Sequence, residues 1–236
     1  GLHSGGLRVV ENFLDMAHFP FVHAHILGST ASTEVRGYSV ELDARQELWA
    51  RGCKFVQPMA SAASEGEADV GYTYRVINPF SPLLYKLSEG DDSSTDIIFL
   101  FVQPTEEDAC IVHFAISLFD TTNSDSAITA FQQTILGQDK PILENHLYKR
   151  LPLDARLEVP SRADASSSAF RRWLRQIGLR WGVEPQSGLA PARLELVVAD
   201  KRTVAQDVVS FTLRSPGEGP LPPFSPGDHL DVHLLV

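Results

Sequence analysis

The residues best suited to chemistry lie near the start of the chain, in segment 11–28, ENFLDMAHFPFVHAHILG. Glu11, Asp15 and His18 are spaced four and then three residues apart, and on a helix such residues share one face. A carboxylate one turn before a histidine can accept a hydrogen bond from the imidazole and fix its tautomer, as partners of metal-binding histidines do. The spacing therefore predicts that Asp15 orients His18.

A second histidine, His23, follows His18 by five residues. On one continuous helix the two rings would lie about 140° apart, because an α-helix has about 3.6 residues per turn. Pro20 disfavours helix in the residue before it, so the chain can turn and bring His23 back. Two histidines and one distant carboxylate form the facial triad of Fe(II) sites, which leaves positions open for oxygen. Spacing alone fits two ordinary histidines equally well, and His25 is an alternative to His23.

The elements that position these residues are predicted from hydrophobic periodicity. One helix is expected from Leu7 to about His18, because apolar residues recur at helical spacing and Pro20 follows. Alternating or continuous apolar runs predict strands at 35–42, 52–59, 70–76, 96–102 and 109–118. Polar segments at 61–67, 89–94 and 104–108 predict turns between them.

A longer helix is predicted after the polar segment that starts at Asp120. Its candidate N-caps are Asn123, Ser124 and Asp125. Its apolar side is formed by Ile128, Phe131, Ile135 and Leu136. A helix, several antiparallel-type strands and a second long helix predict an α+β fold.

Four residues of the first segment match a known motif. Asn12, Asp15, His18 and His23 resemble the Asn-x2-Asp-x2-His-x4-His motif of Rieske non-heme iron oxygenases, with the Glu-Asn start of the vanillate O-demethylase branch. The resemblance implies that His18 and His23 bind iron, and that Asn12 and Asp15 are catalytic residues beside it. In the family the counterpart of Asp15 helps relay electrons from the Rieske cluster of a neighbouring subunit.

A downstream stretch, 138–144 (QDKPILE), resembles the Glu-Asp-Lys-x-x-x-Glu stretch of the same family. There the aspartate is the third iron ligand, which implies this role for Asp139 and a structural role for Glu144. Weaker alternatives for the third ligand are Asp125, Asp120 and Glu107. The stretch 151–174 also resembles the vanillate demethylase and phenoxybenzoate dioxygenase kinds, and the likeness covers roughly residues 7–182.

The resemblance implies a helix-grip fold of the START or Bet v 1 type, in which a curved antiparallel sheet surrounds a long helix and a cavity. It implies that electrons from NAD(P)H pass through a reductase and a Rieske cluster to Fe(II). With O2 they hydroxylate or O-demethylate an aromatic substrate, expected to be an aromatic carboxylate. A homotrimer is implied. The candidate cavity residues are Tyr72, Phe99, Phe101 and Phe114, and the favoured alternative for each is ordinary core packing.

The Rieske motif Cys-x-His … Cys-x-x-His is not found in the chain, whose two cysteines are far apart. The 2Fe-2S cluster is therefore expected in a preceding domain or a partner, and this chain alone would have no route for electrons. Residues 192–236 resemble the start of the flavin-binding β-barrel of phthalate dioxygenase reductase-like proteins. The flavin motif Arg-x-Tyr-Ser is not present either, so no flavin is expected here. We predict a catalytic domain at 1–182, a linker at 183–191 and an incomplete barrel at 192–236.

Charge and hydropathy narrow the possible partners. A net charge of −10 argues against nucleic-acid binding. No apolar run is long enough for a membrane span and no signal peptide is recognisable, so we expect a cytoplasmic protein. The stretch 149–182 has eight Lys or Arg against three acidic residues. It predicts either a solvated arginine-rich helix face or a dock for an acidic redox partner.

Two other kinds of protein share these features. The helix-grip fold also occurs in modules that bind hydrophobic ligands without a metal and catalyse nothing. An inactive gene fragment is the remaining alternative. Iron content separates the first of these from an oxygenase, because only the oxygenase requires the metal.

Overall fold

A computed structural model describes residues 1–59, 66–88, 91–119, 123–185, 195–205 and 208–217. The chain divides into two compact units, Gly1–Pro185 and Gln186–Val236. The candidate chemical residues all lie in the first unit. No helix in the described part of the chain is long and apolar enough to cross a membrane.

The first unit contains one six-stranded sheet in which each strand pairs with its neighbours in sequence, in the order β1-β2-β3-β4-β5-β6. All of these pairs are antiparallel. The strands are β1 (Ser39–Leu42), β2 (Leu48–Gln57), β3 (Ala68–Asn78), β4 (Ser81–Ser88), β5 (Asp91–Glu106) and β6 (Ala109–Ser117). The predicted α+β class with an antiparallel sheet is confirmed.

Among the described residues, four α-helices accompany the sheet: α1 (Gly6–Leu14), α2 (Phe19–Val22), α3 (Asp125–Glu144) and α4 (Ala165–Gln176). Helix α1 contacts β4, β5 and β6 as well as α3, while α4 packs on α1, β1 and β2. The helix α3 begins where Ser124, one of the three predicted caps, accepts a hydrogen bond from the amide of Ala127. The core between helices and sheet includes Leu7, Leu14, Tyr74, Leu100 and Phe170.

The predicted end of the first helix near His18 is wrong, because α1 stops at Leu14. Asp15 adopts an extended conformation, and its carboxylate accepts a hydrogen bond from the amide of Ala17 at 2.8 Å. An aspartate that binds the backbone two residues ahead competes with helix continuation. Pro20 lies in the first turn of α2, where its missing N–H costs no helical hydrogen bond.

Strand boundaries also differ from those predicted. The strand β4 was not predicted at all, and β5 continues through Pro104, which was predicted to lie in a turn. The predicted strand 35–42 is regular only from Ser39. Of the turns expected between strands, 60–65 and 89–90 lie outside the described residues.

A buried cluster of four charges joins α1 to α4 and to the chain before α4. Glu11 pairs with Arg8 at 3.1 Å and, at 2.5 Å, with Arg171, and both arginines also pair with Glu158. Arg8 is 2% exposed and Glu11 9%. Glu11 therefore does not share a face with Asp15 and His18 as predicted. Arg171 is not a solvated arginine, because its charge is used inside this cluster.

The second unit contains a two-stranded antiparallel sheet of β7 (Val197–Ala205) and β8 (Val208–Arg214). Both strands lie within segment 192–236, for which an incomplete barrel is predicted. Residues 218–236 and most of the predicted linker lie outside the described residues.

Candidate metal centre and cavity

His18 lies in the turn between α1 and α2, and the extended backbone at Asp15 determines its orientation. Its ring nitrogen Nδ1 donates a hydrogen bond to Asp15 Oδ2 at 3.1 Å. Asp15 is itself held through its other oxygen by the amide of Ala17. The predicted pairing of Asp15 and His18 is thus present, in a turn rather than on one helix face. The lone pair of His18 is left on Nε2.

His23 follows α2 directly and is 1% exposed. Its carbonyl oxygen accepts hydrogen bonds from the amides of Ile26, Leu27 and Gly28, which fold the next residues back on α2. This close approach requires Gly28, since a Cβ there would lie 2.6 Å from backbone atoms of Phe19 and Pro20. The ring of His23 is fixed by Gln138, whose Oε1 lies 2.9 Å from Nδ1.

Asp139 comes to the histidines from α3. It lies one helical turn after Ile135 and one before Leu143, so the apolar stripe of the helix carries it towards the sheet. Its Oδ1 is 3.1 Å from His23 Nε2 and 3.5 Å from His18 Nε2. The three candidate ligand atoms all lie within 4.8 Å of one another.

The donor atoms at this point suit a cation. Both Nδ1 atoms face acceptors, so both Nε2 lone pairs point towards the Asp139 carboxylate. Asp139 Oδ1 is buried and makes no hydrogen bond of acceptable geometry with described residues. Two neutral imidazoles and one carboxylate are the donor set of mononuclear Fe(II) sites. The residues present therefore fit the iron that the motif implies.

The pKa of His23 depends on its burial and on its two neighbours in the site. Burial alone would lower the pKa of His23, but the carboxylate of Asp139 and the amide of Gln138 outweigh it, and the pKa is raised above its ordinary value. A proton on His23 and a metal ion at the same Nε2 exclude each other, so the two compete for this nitrogen.

The other candidate ligands are elsewhere. His25 is exposed and has a left-handed backbone, with φ of 70°. Asp125 lies in the first turn of α3, at the opposite end of the helix from Asp139. Glu107 is 2.9 Å from Arg150. Glu144 accepts the amide of His3 at 3.0 Å and pairs with Lys140, whereas Asp120 lies outside the described residues.

A cavity of about 330 Å³ lies between the sheet, α1 and α3, and the metal centre is part of its wall. Its lining is mainly apolar and includes Ile98, Leu100, Phe114, Ile128 and Phe131. Two of the predicted cavity residues, Tyr72 and Phe114, line it. Phe99 and Phe101 do not, because they lie on the other face of β5, where their rings stack and Phe101 is 46% exposed.

Three polar residues in or near the site were missed by sequence reasoning. Gln138 holds His23, and its position beside Asp139 was the only available signal. Lys86 and Asp96 line the cavity as cross-strand partners on β4 and β5. They carried no recognisable signal, because their meeting depends on strand register. Asn12, predicted to be catalytic, also lines the cavity.

The basic stretch 149–182 is largely occupied by contacts within the chain. Arg150 pairs with Glu107 and Glu184, Arg156 pairs with Asp154, and Lys149 and Arg175 donate to backbone carbonyls. Together with Arg171, five of the eight basic residues in this stretch therefore make ion pairs or hydrogen bonds within the chain. The expected docking surface for an acidic partner is reduced accordingly.

Known proteins resemble most of the chain. Residues 3–180 match the model of the vanillate O-demethylase oxygenase C-terminal domain. A probable methylxanthine N7-demethylase, NdmC, of Pseudomonas sp. (strain TJI-51) is 48% identical over 180 residues, which are 76% of this chain and 64% of the relative. The chain thus spans less than two thirds of that protein.

Solved structures share the fold. NdmA of Pseudomonas putida CBB5 with caffeine superposes with a TM-score of 0.61 and 24% identity, covering 75% of this chain and 49% of the other. A dicamba monooxygenase bound to 3,6-dichlorosalicylic acid gives a TM-score of 0.58 and 16% identity over 75% and 56% of the two chains. Both agree with the antiparallel sheet described above. The chain therefore belongs to the vanillate O-demethylase oxygenase C-terminal domain family, the catalytic domain of Rieske-type oxidoreductases.

Proposed function

We propose that His18, His23 and Asp139 bind one ferrous ion, and that the chain is the part of a demethylating oxygenase that holds the substrate. The observation that carries this proposal is the convergence of three ligand atoms within 4.8 Å at the wall of an apolar cavity. The name of the relative NdmC supports an N-methyl group on a small planar ring as the point of attack.

The reaction balances as a monooxygenation. One atom of O2 enters a C–H bond of the methyl group, the other leaves as water, and two electrons and two protons are consumed. The hydroxymethyl product then loses formaldehyde and leaves N–H or O–H on the ring. Ferrous iron supplies the activation of O2, which the side chains of the chain cannot perform.

The chain's own residues have three tasks in this scheme. Asp15 and Gln138 hold the two imidazoles so that both Nε2 atoms face the same point. The apolar lining excludes water and packs on a flat ring. Asn12 contributes a polar group to the same wall, which supports its proposed place beside the reacting atoms.

Electrons must come from elsewhere. Cys53 and Cys110 are both buried and free, and the site offers no second metal cluster among the described residues. We propose that a Rieske domain of a neighbouring subunit, served by a flavin and 2Fe-2S reductase, delivers them in a homotrimer. Residues 192–236 are proposed to be the start of a flavin-domain barrel, supported by the β7–β8 pair.

Anaerobic reconstitution with Fe(II) and metal analysis tests the proposal. We expect about one iron per chain, as a single triad predicts. His18→Ala and Asp139→Ala should lose it, because each removes a ligand atom. His25→Asn is the matched control, since asparagine tolerates the left-handed backbone of that exposed histidine. Full iron binding by His18→Ala would refute the site, and a chain that binds an aromatic ligand but takes up no iron on reconstitution would favour the metal-free binding module.

A further inference from the structure

The part of the cavity wall formed by β3, β4 and β5 carries a row of three polar side chains, none of which is a candidate metal ligand. Tyr72, Lys86 and Asp96 lie directly opposite one another on these three strands. Side chains at paired positions project from the same face of a sheet, and all three line the cavity. Their neighbours on the same face, Ile98 and Leu100, are apolar. A substrate in the cavity therefore meets this polar group in addition to Asn12 on α1 and to Gln132 and Lys140 on α3.

Within this polar group, Lys86 is a hydrogen-bond donor and Asp96 is an acceptor. Lys86 Nζ lies 6.0 Å from the centre of the Tyr72 ring. Burial lowers the pKa of Lys86 to about 8, and the charge of Asp96 acts in the opposite direction. Asp96 Oδ1 accepts a hydrogen bond from the amide of Phe119 at 3.0 Å, which holds the carboxylate in place. Ionised carboxylates offer further acceptor positions.

We propose that Lys86 and Asp96 bind a neutral heteroaromatic substrate by an edge at which a ring carbonyl lies next to a ring N–H. The carbonyl oxygen accepts a hydrogen bond from the Lys86 ammonium, and the ring N–H donates to Asp96. This inference rests on the proposed function, since it takes the cavity as the substrate site. The inferred substrate is thus a cyclic amide or imide, and not the aromatic carboxylate expected from the family resemblance.

Charge decides between the two substrate classes. A carboxylate attracted to Lys86 also approaches Asp96, and like charges repel strongly in a cavity of low polarity. A neutral edge with both a donor and an acceptor can hydrogen-bond with both side chains and brings no second negative charge to Asp96.

Calorimetric titration of the full chain without added iron tests the inference with three probes. 7-Methylxanthine carries ring carbonyls beside ring N–H groups, whereas in caffeine each of those N–H groups is N-methylated. Benzoate is the aromatic carboxylate. We expect 7-methylxanthine to bind about tenfold or more tightly than either, because charge-assisted hydrogen bonds are the strong ones. Tighter binding of benzoate, or no binding of any probe, would overturn the inference.

Two variants assign the effect to the proposed residues. Asp96→Asn keeps an acceptor for Phe119 but removes the negative charge opposite Lys86, so it should lose the preference for 7-methylxanthine over caffeine and gain affinity for benzoate. Lys86→Met should weaken both xanthines, which lose their carbonyl donor. Lys54→Met, at an exposed position of β2, is the matched control and should bind as the wild type does. Unchanged binding by both cavity variants would refute the assignment.

The test separates this inference from the proposed function. It uses no iron, so a chain that fails to bind iron but retains the dependence on Lys86 and Asp96 would support the substrate class and refute the oxygenase. A chain that binds iron through His18, but whose ligand binding does not depend on Lys86 or Asp96, would support the oxygenase and refute the substrate class.

Discussion

Each histidine of the candidate metal centre is oriented through the ring nitrogen that faces away from Asp139. Asp15 accepts from His18 and Gln138 from His23. The two acceptors differ, because one is a carboxylate and the other is a neutral amide. The positions of both rings thus depend on residues that do not themselves face the ion.

Gln138→Leu should lower iron affinity by about 10- to 100-fold, the usual effect of removing the partner of a metal-binding histidine. The substitution leaves Nδ1 of the buried His23 without its acceptor. Competition with a chelator measures the affinity. Gln133→Leu, at an exposed position of the same helix, is the control. Equal affinities in the two variants would show that Gln138 does not orient His23.

Lys86 should make stability depend on pH. Its pKa in the folded chain is about 8, against 10.5 as the ordinary value, so between these pH values the unfolded chain holds more of the proton. The stability of the wild type should therefore rise as pH increases through this window. Lys86→Met should lack that part of the rise, whereas Lys54→Met should keep it. Urea denaturation at pH values across the window provides the measurement, and parallel curves for wild type and Lys86→Met would contradict it.

At the scale of elements, the site depends on how α2 is held against the loop that follows it. His23 directly follows α2, and its carbonyl oxygen accepts hydrogen bonds from the three amides of residues 26–28. The other side of the site is one stripe of α3, which places Asp139 in line with the apolar cavity residues. The turn that carries His18, the loop that carries His23 and the helix α3 therefore determine the positions of the three candidate ligands.

Gly28→Ala should destabilise the chain by about 1–3 kcal/mol, the usual cost of forcing extra volume into a packed site. The new Cβ would meet the backbone of Phe19 and Pro20 at 2.6 Å and displace α2. Iron affinity should fall with it, because His18 and His23 flank that helix. Gly37→Ala, which meets nothing within 4 Å, is the matched control. Thermal unfolding and chelator competition would reveal the difference; similar results for both variants would count against this role of Gly28.

At the scale of the whole molecule, the chain divides into two compact units, Gly1–Pro185 and Gln186–Val236. The boundary between the two units, after Pro185, falls within the predicted linker 183–191. Segments rich in proline, glycine and alanine with few crossing contacts are typical of domain boundaries. The metal centre and the cavity are formed entirely by the first unit.

Limited proteolysis should therefore cut first within the linker and release a fragment that ends near its start. That fragment should retain iron, since every candidate ligand lies in the first unit. Mass spectrometry of the early products, with iron analysis of the purified fragment, tests both points. Initial cuts within α3 or the six-stranded sheet would contradict this division.

The sequence by itself determined the parts of the site that are local. Spacing predicted that Asp15 orients His18, and the two side chains are hydrogen-bonded. This pairing could be predicted because it joins residues one helical turn apart in sequence. The iron-binding roles of His18, His23 and Asp139 were implied by the family motifs and stay a prediction. Strand periodicity likewise predicted most of the sheet, although β4 was missed.

Only the tertiary structure decided features that join distant parts of the chain. Glu11 fits a face with Asp15 by spacing, yet it pairs with Arg171, 160 residues away. The nearly continuous apolar run in β5 does not reveal which face is inside, so Phe99 and Phe101 were misplaced. Lys86 and Asp96 meet only through strand register. Such contacts depend on how separate elements pack, which periodicity within a single segment does not specify.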